Sequence, residues 1–458
     1  MAGHARCWDV LVSLTLCLLT ICNVCFGNGI KLEVSGEEVV AQLLHLAMFS
    51  DDPNPAVTRI VFTENDLLAR GYVKELMTAA GLKIREDPMG NIFGRWEGSD
   101  SGAGAVVTGS HADAIPLAGA YDGTLGVIGP IAAVAALRRA GFRPAAPIDV
   151  LMFTSEEPTR FGLGCIGSRG MAGELTAALL DEKLDINGTT FQAASTAAGY
   201  GGASHQEILD GTRVKEGAVA AFVELHIEQG PLLEKEGTQL GIVTAIAAPA
   251  ALRVFFSGDG GHAGALLMPY RNDAGLAAAE VALAVEGAVL ETGAIDAVGT
   301  TGLFEIGPNT VNSVPREAKL EIDIRDIDKD RRDAIVASVL KTVEEVAKRR
   351  KVRHRVEIIN QDAPAICSDK VIAAATEAAE ALGASHKRMV SRAYHDSLFM
   401  ARFAPTGMIF IPCRGGWSHR PDEFASPADI ERGVKALALT LAKLAGTAAD
   451  DTGAHTEL

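Results

Sequence analysis

A chain of 458 residues is too long for one small core and implies two domains. Hydrophobic residues at 48% and charged residues at 22% are ordinary for a globular protein. The formal charge of −16 argues against nucleic acid or an anionic membrane as partner. It leaves room for a small anionic substrate in a cleft whose field is set locally.

In chain order, His4 and Arg6 precede an apolar run at residues 10–26 that ends in Gly27 and Asn28. The run is short for a membrane span and predicts a secretory signal at residues 1–27, so no membrane association remains after cleavage. Cleavage there removes Cys7, Cys17, Cys22 and Cys25. The remaining Cys165, Cys367 and Cys413 make neither a disulfide framework nor a thiolate metal site. Helical spacing follows at 36–49 and 64–80, strands at 91–95 and 105–108, and an Ala-rich buried helix at 128–140. Residues 148–154 read as a buried parallel strand. This alternation predicts an α/β domain, a sheet flanked by helices, with ligands beyond the carboxyl ends of its strands. Asn187-Gly188-Thr189 is a glycosylation sequon.

The pattern changes over 247–361. A strand at 252–256, a helix at 273–290, strands at 297–306 and 319–326, a helix at 329–349 and a strand at 353–359 give the β-α-β-β-α-β order of a ferredoxin-like unit. It is expected as an insertion into a metal-binding catalytic domain of 28–246 and 362–445, which resumes with a helix at 373–382. Residues 446–458 read as a flexible tail.

The chemistry concentrates in TGSHADAIP, which carries His111 and Asp113, and in Asp122 shortly after it. Glu156 and Glu157 follow a strand, His226 ends another, and His419 lies near the C-terminus. Two close metal ions need a shared carboxylate and further His or carboxylate ligands. Asp122 is the expected bridge, with His111 and His226 on one ion and Glu157 and His419 on the other. Asp113 is expected to orient the His111 ring. Glu156 is left as general base toward a metal-activated water, handing the proton on to the leaving nitrogen. With no cysteine in the set, manganese, zinc and cobalt all qualify.

The order of these residues resembles the dinuclear amidohydrolases related to zinc aminopeptidases, in their amidase, hydantoinase and carbamoylase branch. The marks are TGSHADAIP, FTSEEPTRFG, ELHIEQGP, GGHAGALLMPYRNDA, PNTVNSVP, DIRDID, AYHDS and SHRPDE, spread from about residue 36 to 443. Within the branch the chain is most similar to plant ureide-degrading enzymes. The resemblance implies an aminopeptidase-like catalytic domain with a mixed sheet, an inserted lid that also dimerises, and two Mn2+ per subunit. It implies hydrolysis of the ureido C–N bond of (S)-ureidoglycolate to glyoxylate, ammonia and carbon dioxide, and placement in the endoplasmic reticulum. Gln229 is implied to contact substrate, together with Glu156, Glu157 and His226. His262 is implied to reach across a homodimer and stabilise the oxyanion as a catalytic group. Asn312 and Arg325 would bind the substrate carboxylate, and Tyr394 and His395 would line its ureido or hydroxyl end.

Taken alone, Arg325 among Asp323, Asp326 and Asp328 reads as a surface ion pair. His262 and Asn312 read as turn formers, and Tyr394 as packing. Allantoate or an N-carbamoyl amino acid is the rival substrate. A non-catalytic binding protein on the same fold is the rival class, though such proteins usually lose ligands or the base, and here all are present.

Overall fold

The computed structural model describes residues 31–448. The signal expected at 1–27 and the chain from 449 onward lie outside the described residues. Six strands of the larger unit's main sheet come first: β1 (Lys83–Glu86), β2 (Ile92–Trp96), β3 (Ala105–His111), β4 (Ile148–Phe153), β5 (Val219–Ile227) and β6 (Leu240–Ile246); Val57–Arg59 and Ala114–Ala118 pair separately as a two-stranded sheet. The chain then builds a separate four-stranded sheet from β7 (Ala248–Ser257), β8 (Val298–Gly307), β9 (Glu317–Asp326) and β10 (Arg353–Gln361). It returns for β11 (Ala365–Ile366), β12 (His386–Ser391) and β13 (Thr406–Ile411).

The large mixed sheet runs β11-β6-β13-β5-β3-β4-β2-β1, with β12 beside β6. Its four central strands β13, β5, β3 and β4 are parallel. β3, β4 and β13 are buried throughout; β4 and β13 are largely apolar, whereas β3 turns polar from Thr108 toward the site. Val106, Val150, Met152 and Val223 face one core, under a layer formed by α1 (Gly36–Ala47), α3 (Leu125–Arg139) and two C-terminal helices; α2 (Glu64–Ala79) packs nearby. Val107, Leu151, Phe153 and Phe222 face the other, against Met171 and Met400. Helix α3 starts at Leu125, three residues before the expected 128. Gly126, Gly129 and Pro130 weaken its helical signal, but Gly126 is what lets it settle on the sheet. A Cβ there would lie 2.4 Å from Ser110 Cβ and 2.6 Å from the Leu225 carbonyl oxygen.

Short helices between 155 and 212 surround a second apolar cluster of Phe62, Phe161 and Phe191. Their brevity hid them from any periodicity reading. Residues 446–448, expected within the tail, are held against the larger unit. Thr447 bridges Pro144, the Ala145 N–H donates to the Gly446 carbonyl, and the Ala448 N–H donates to the Arg143 carbonyl.

In the inserted unit the strand order is β8-β9-β7-β10, all antiparallel, with α4 (Ala274–Glu291) and α5 (Lys329–Arg350) on one face. Leu252, Val254, Leu320, Ile322 and Ile324 point into that helix-covered core. The alternate residues, including Arg253, Glu321, Asp323 and Arg325, are half-buried on the opposite face. A short antiparallel arm pairs Gly261–His262 with Ser313–Val314. The buried Arg332 guanidinium on α5 donates to the carbonyls of Ala248 and Asp362, the two places where the chain passes between units. The larger unit is completed by α6 (Asp369–Ala381) and α7 (Pro427–Ala445).

Gly109 in β3 makes a very close backbone approach, since a Cβ there would lie 1.9 Å from the Leu151 carbonyl oxygen of β4. Gly109→Ala is therefore expected to force the two strands apart and cost about 3 kcal/mol. Gly71→Ala, inside α2 with nothing within 4 Å of the new methyl, should stabilise by about 0.5–1 kcal/mol. Thermal unfolding of the two variants should move in opposite directions.

Candidate metal centre

The parallel registry sets the site. His111 is level with Phe153 across β3 and β4, and His226 is level with Phe410 across β5 and β13. The carboxyl ends of all four central strands therefore open on one cleft, about 330 Å³ in volume, lined among others by His111, Asp122, Glu156, Glu157, Gln229 and His419. The loops leaving these ends turn sharply. Ser155, Gln229 and His419 hold left-handed φ of 57°, 56° and 59°, strain that persists where surrounding structure enforces it. Gly123 has φ 65°, and a Cβ there would lie 2.3 Å from His111 Nε2. Only glycine lets the chain pass so close after Asp122.

Asp122 is central. Its Oδ1 lies 3.2 Å from His226 Nε2 and 3.9 Å from His111 Nε2, and its Oδ2 lies 3.1 Å from His419 Nε2. Glu157 Oε1 is 3.5 Å from the same His419 nitrogen. Two donor groups result, His111–Asp122–His226 and Asp122–Glu157–His419, each compact enough to hold one metal ion and sharing the aspartate. The buried imidazoles are oriented for this. His111 Nδ1 donates to the Asp113 carbonyl at 2.9 Å and His226 Nδ1 to the Ile227 carbonyl at 2.8 Å, which turns each Nε2 toward Asp122. Asp113 thus meets His111 through its backbone, its carboxylate standing 3.8 Å off. That carboxylate is engaged elsewhere, accepting the Glu156 and Glu157 N–H groups at 3.2 and 2.9 Å.

The electrostatics agree with a cation-binding role. Burial and then the neighbouring Glu157 charge push the Glu156 carboxyl well above its ordinary range. Burial and then Asp122 bring Glu157 up to about 8. Burial opposes ionisation of Asp122 as well, yet its bonds to His226 and His419 hold it well below. The hydrogen bond to Asp122 raises His419 to about 9. So many buried carboxylates resist carrying charge together unless positive charge joins them. Oxygen and imidazole donors without thiolate suit a borderline or hard divalent ion.

The remaining expected residues divide. Gln229 Nε2 donates to Asp122 Oδ2 at 2.8 Å, and its buried Oε1 has no partner among the described residues. Tyr394 lines the cleft, donating to Asp362 at 2.8 Å and accepting from Arg169 at 2.6 Å. His395 packs edge-on against His226, with its Nε2 3.0 Å from the Ser391 hydroxyl. Burial, then the adjacent His226, keeps its pKa well below the usual value. Arg325 also lines the cleft, and it does form the ion pair that its acidic neighbours suggest, with Asp323. His262 and Asn312 are not in the cleft of their own chain. Both are exposed on the short arm, where the Ala263 N–H donates to the Asn312 carbonyl.

Glu423 was missed, although it lies in the quoted SHRPDE run. Its Oε1 accepts the N–H groups of Tyr121 and Asp122 at 2.8 and 2.9 Å, and its Oε2 accepts from Ser418 at 2.8 Å. Asp362 and Arg169, which hold Tyr394, carried no sequence signal at all.

The sequence matches the model of peptidase family M20/M25/M40 over residues 109–443. The chain belongs to this family. Among its M20/M25/M40 relatives, the ureidoglycolate hydrolase of Oryza sativa subsp. japonica is 54% identical over 420 residues, 91% of this chain and 86% of that protein. The N-carbamoyl-L-amino acid amidohydrolase of Geobacillus stearothermophilus is 36% identical over 412 residues, 90% of this chain and 99% of its own length. The crystal structure of AtUAH in complex with (S)-hydroxyglycine superposes with a TM-score of 0.83 at 52% identity, covering 90% of this chain and 98% of that one. AtUAH is also solved in complex with glyoxylate.

Removal of the Glu423 carboxylate should act through Asp122. Glu423→Ala leaves two buried N–H groups unpaired, so metal affinity should fall about 10- to 100-fold while the fold persists. Metal titration with circular dichroism in parallel checks this.

Proposed function

We infer that this chain is a metal-dependent amidohydrolase that hydrolyses the ureido C–N bond of (S)-ureidoglycolate. The observation that carries the reading is one cleft holding both a shared-aspartate metal donor set and the Arg325 fork, a pairing suited to a short ureide that bears a carboxylate. The likeness to ureidoglycolate hydrolase, half as strong again in identity as that to the carbamoylase, supports this substrate over an N-carbamoyl amino acid. Purine-derived ureide catabolism is the corresponding role.

Bound divalent ions supply Lewis-acid polarisation of a carbonyl and acidify water. His111, Asp122, His226, Glu157 and His419 would hold them. Glu156 takes the proton of the attacking water and returns it to the leaving nitrogen, a role that its raised basicity fits. Ammonia and carbon dioxide leave, and the remaining hydroxyglycine loses a second ammonia to give glyoxylate. Gln229 lines the cleft beside Asp122 and would contact the substrate. Neutral His395 and Tyr394 also line the cleft.

We further propose that the metal is manganese, that residues 1–27 direct the chain to the endoplasmic reticulum, and that the protein works as a homodimer through its inserted unit. The exposed Asn187 sequon accords with a secretory route. For the dimer, α4 exposes Leu276, Leu283 and Leu290 at seven-residue spacing beside the sheet-edge strand β8. The arm bearing His262 and Asn312 exposes Leu267, Met268, Tyr270 and Val311. Seated on a partner, this arm would carry His262 to the partner's cleft.

The primary test is ammonia release by manganese-loaded protein offered (S)-ureidoglycolate and allantoate in parallel, with zinc- and cobalt-loaded samples alongside. Turnover of ureidoglycolate is expected; a preference for allantoate would overturn the substrate. Glu156→Gln should lower turnover by about 10²- to 10⁴-fold while metal content stays near that of the wild type. A parallel loss of metal would refute its assignment as base. Glu156→Gln and His262→Ala should each be inactive, yet co-refolded together they should recover about a quarter of wild-type activity, because mixed dimers own one intact composite site. No recovery would argue that His262 does not act across subunits.

A further inference from the structure

Among the described residues lining the cleft, Arg325 is the only arginine or lysine, so it is the one fixed positive side chain available to an anionic substrate group. Its guanidinium is already engaged. Nε donates to Asp323 Oδ1 and Nη2 to Asp323 Oδ2, both at 2.9 Å, a side-on bidentate pair. Nη1 reaches the Arg392 carbonyl of the larger unit at 3.3 Å. Asp323 and Arg325 are two residues apart on β9, so both project from the sheet face that the helices leave bare, and both line the cleft. Any carboxylate arriving at Arg325 therefore meets a resident carboxylate on the same cation.

We propose that Asp323 is a specificity-determining residue: an internal counter-charge that holds the carboxylate affinity of Arg325 down, so that a carboxylate ligand enters by exchange and a carboxylate product leaves. This rests on the reading that the substrate bears a carboxylate. A neutral group cannot make the exchange, because it offers the guanidinium less than Asp323 does. The displaced carboxylate is left to solvent, because Arg253, diagonal to it on the same face, already pairs with Glu321 at 2.8 Å and Glu357 at 3.3 Å. Arg325 and Asp323 are half-exposed, at 31% and 38% of their side-chain surface, so solvent assists the swap and the pair is a modest one.

The test uses a matched pair of small probes, glycolate and glycolamide, which differ only in a carboxylate against an amide. Binding of each to the full-length, metal-loaded protein is measured by titration calorimetry, which needs no turnover. Asp323→Asn, nearly isosteric and at a half-exposed position, should bind glycolate roughly threefold or more tightly than the wild type. Glycolamide binding should not change. In an Arg325→Met background the Asp323→Asn gain should vanish. Weaker or unchanged glycolate binding in Asp323→Asn would overturn the proposal, making Asp323 a mere brace for the arginine. An equal gain for glycolamide would overturn it too, by pointing to a general loosening of the cleft. Failure of the wild type to hydrolyse (S)-ureidoglycolate would instead strike the substrate reading and leave this comparison intact.

Discussion

Everything in the larger unit is organised around Asp122, one buried carboxylate whose two oxygens face different partners. Oδ1 looks toward His111 and His226, Oδ2 toward His419, and neither set is complete without it. Holding an aspartate so requires that its backbone be fixed as well as its side chain. Glu423 grips the N–H of Asp122, and Gly123 lets the chain turn against the His111 ring. The cost of burying these carboxylates is what gives the centre its appetite for divalent ions. A fold with fewer parallel strands meeting at one edge could not deliver donors from four separate segments to a single aspartate.

The second constraint is division of labour between units. The larger unit brings the grouped donors and Glu156 to the cleft; the smaller brings the positive charge of Arg325. Arg325 and Asp323 sit on the bare face of the inserted sheet, while its helix-covered face is ordinary apolar core. Strand alternation thus separates the part that folds the unit from the part that faces the cleft. His262 and Asn312 follow a different logic, since an exposed two-residue pairing on an arm contributes nothing to its own chain's cleft.

Much of this was legible because ligands sit where strands end. The apolar run of β4 closing on Glu156 and Glu157, and His226 closing β5, are visible as pattern changes in the sequence. The β-α-β-β-α-β order of the inserted unit was readable for the same reason, with alternation and helical spacing following one another cleanly. What stayed hidden depends on contacts between distant segments. The grip of Glu423 on Tyr121 and Asp122 spans about three hundred residues, and Asp362 finds Arg169 and Tyr394 only once both units are folded. Asp113 meets the second nitrogen of the His111 ring through its backbone carbonyl, an atom that spacing alone does not single out. The short helices after Glu157 escaped because one or two turns leave no period to detect.

Strand β13 gives the architecture a temporal dimension. It is the last strand of the large sheet in the sequence, yet it lies between β5 and β6, both of which are synthesised well before it. During synthesis those two strands must wait with unpaired edges while the whole inserted unit is made. The loop after β13 carries His419, so the Asp122–Glu157–His419 group cannot exist until this strand has slotted home. The His111–Asp122–His226 group, by contrast, is complete in the chain before the inserted unit begins.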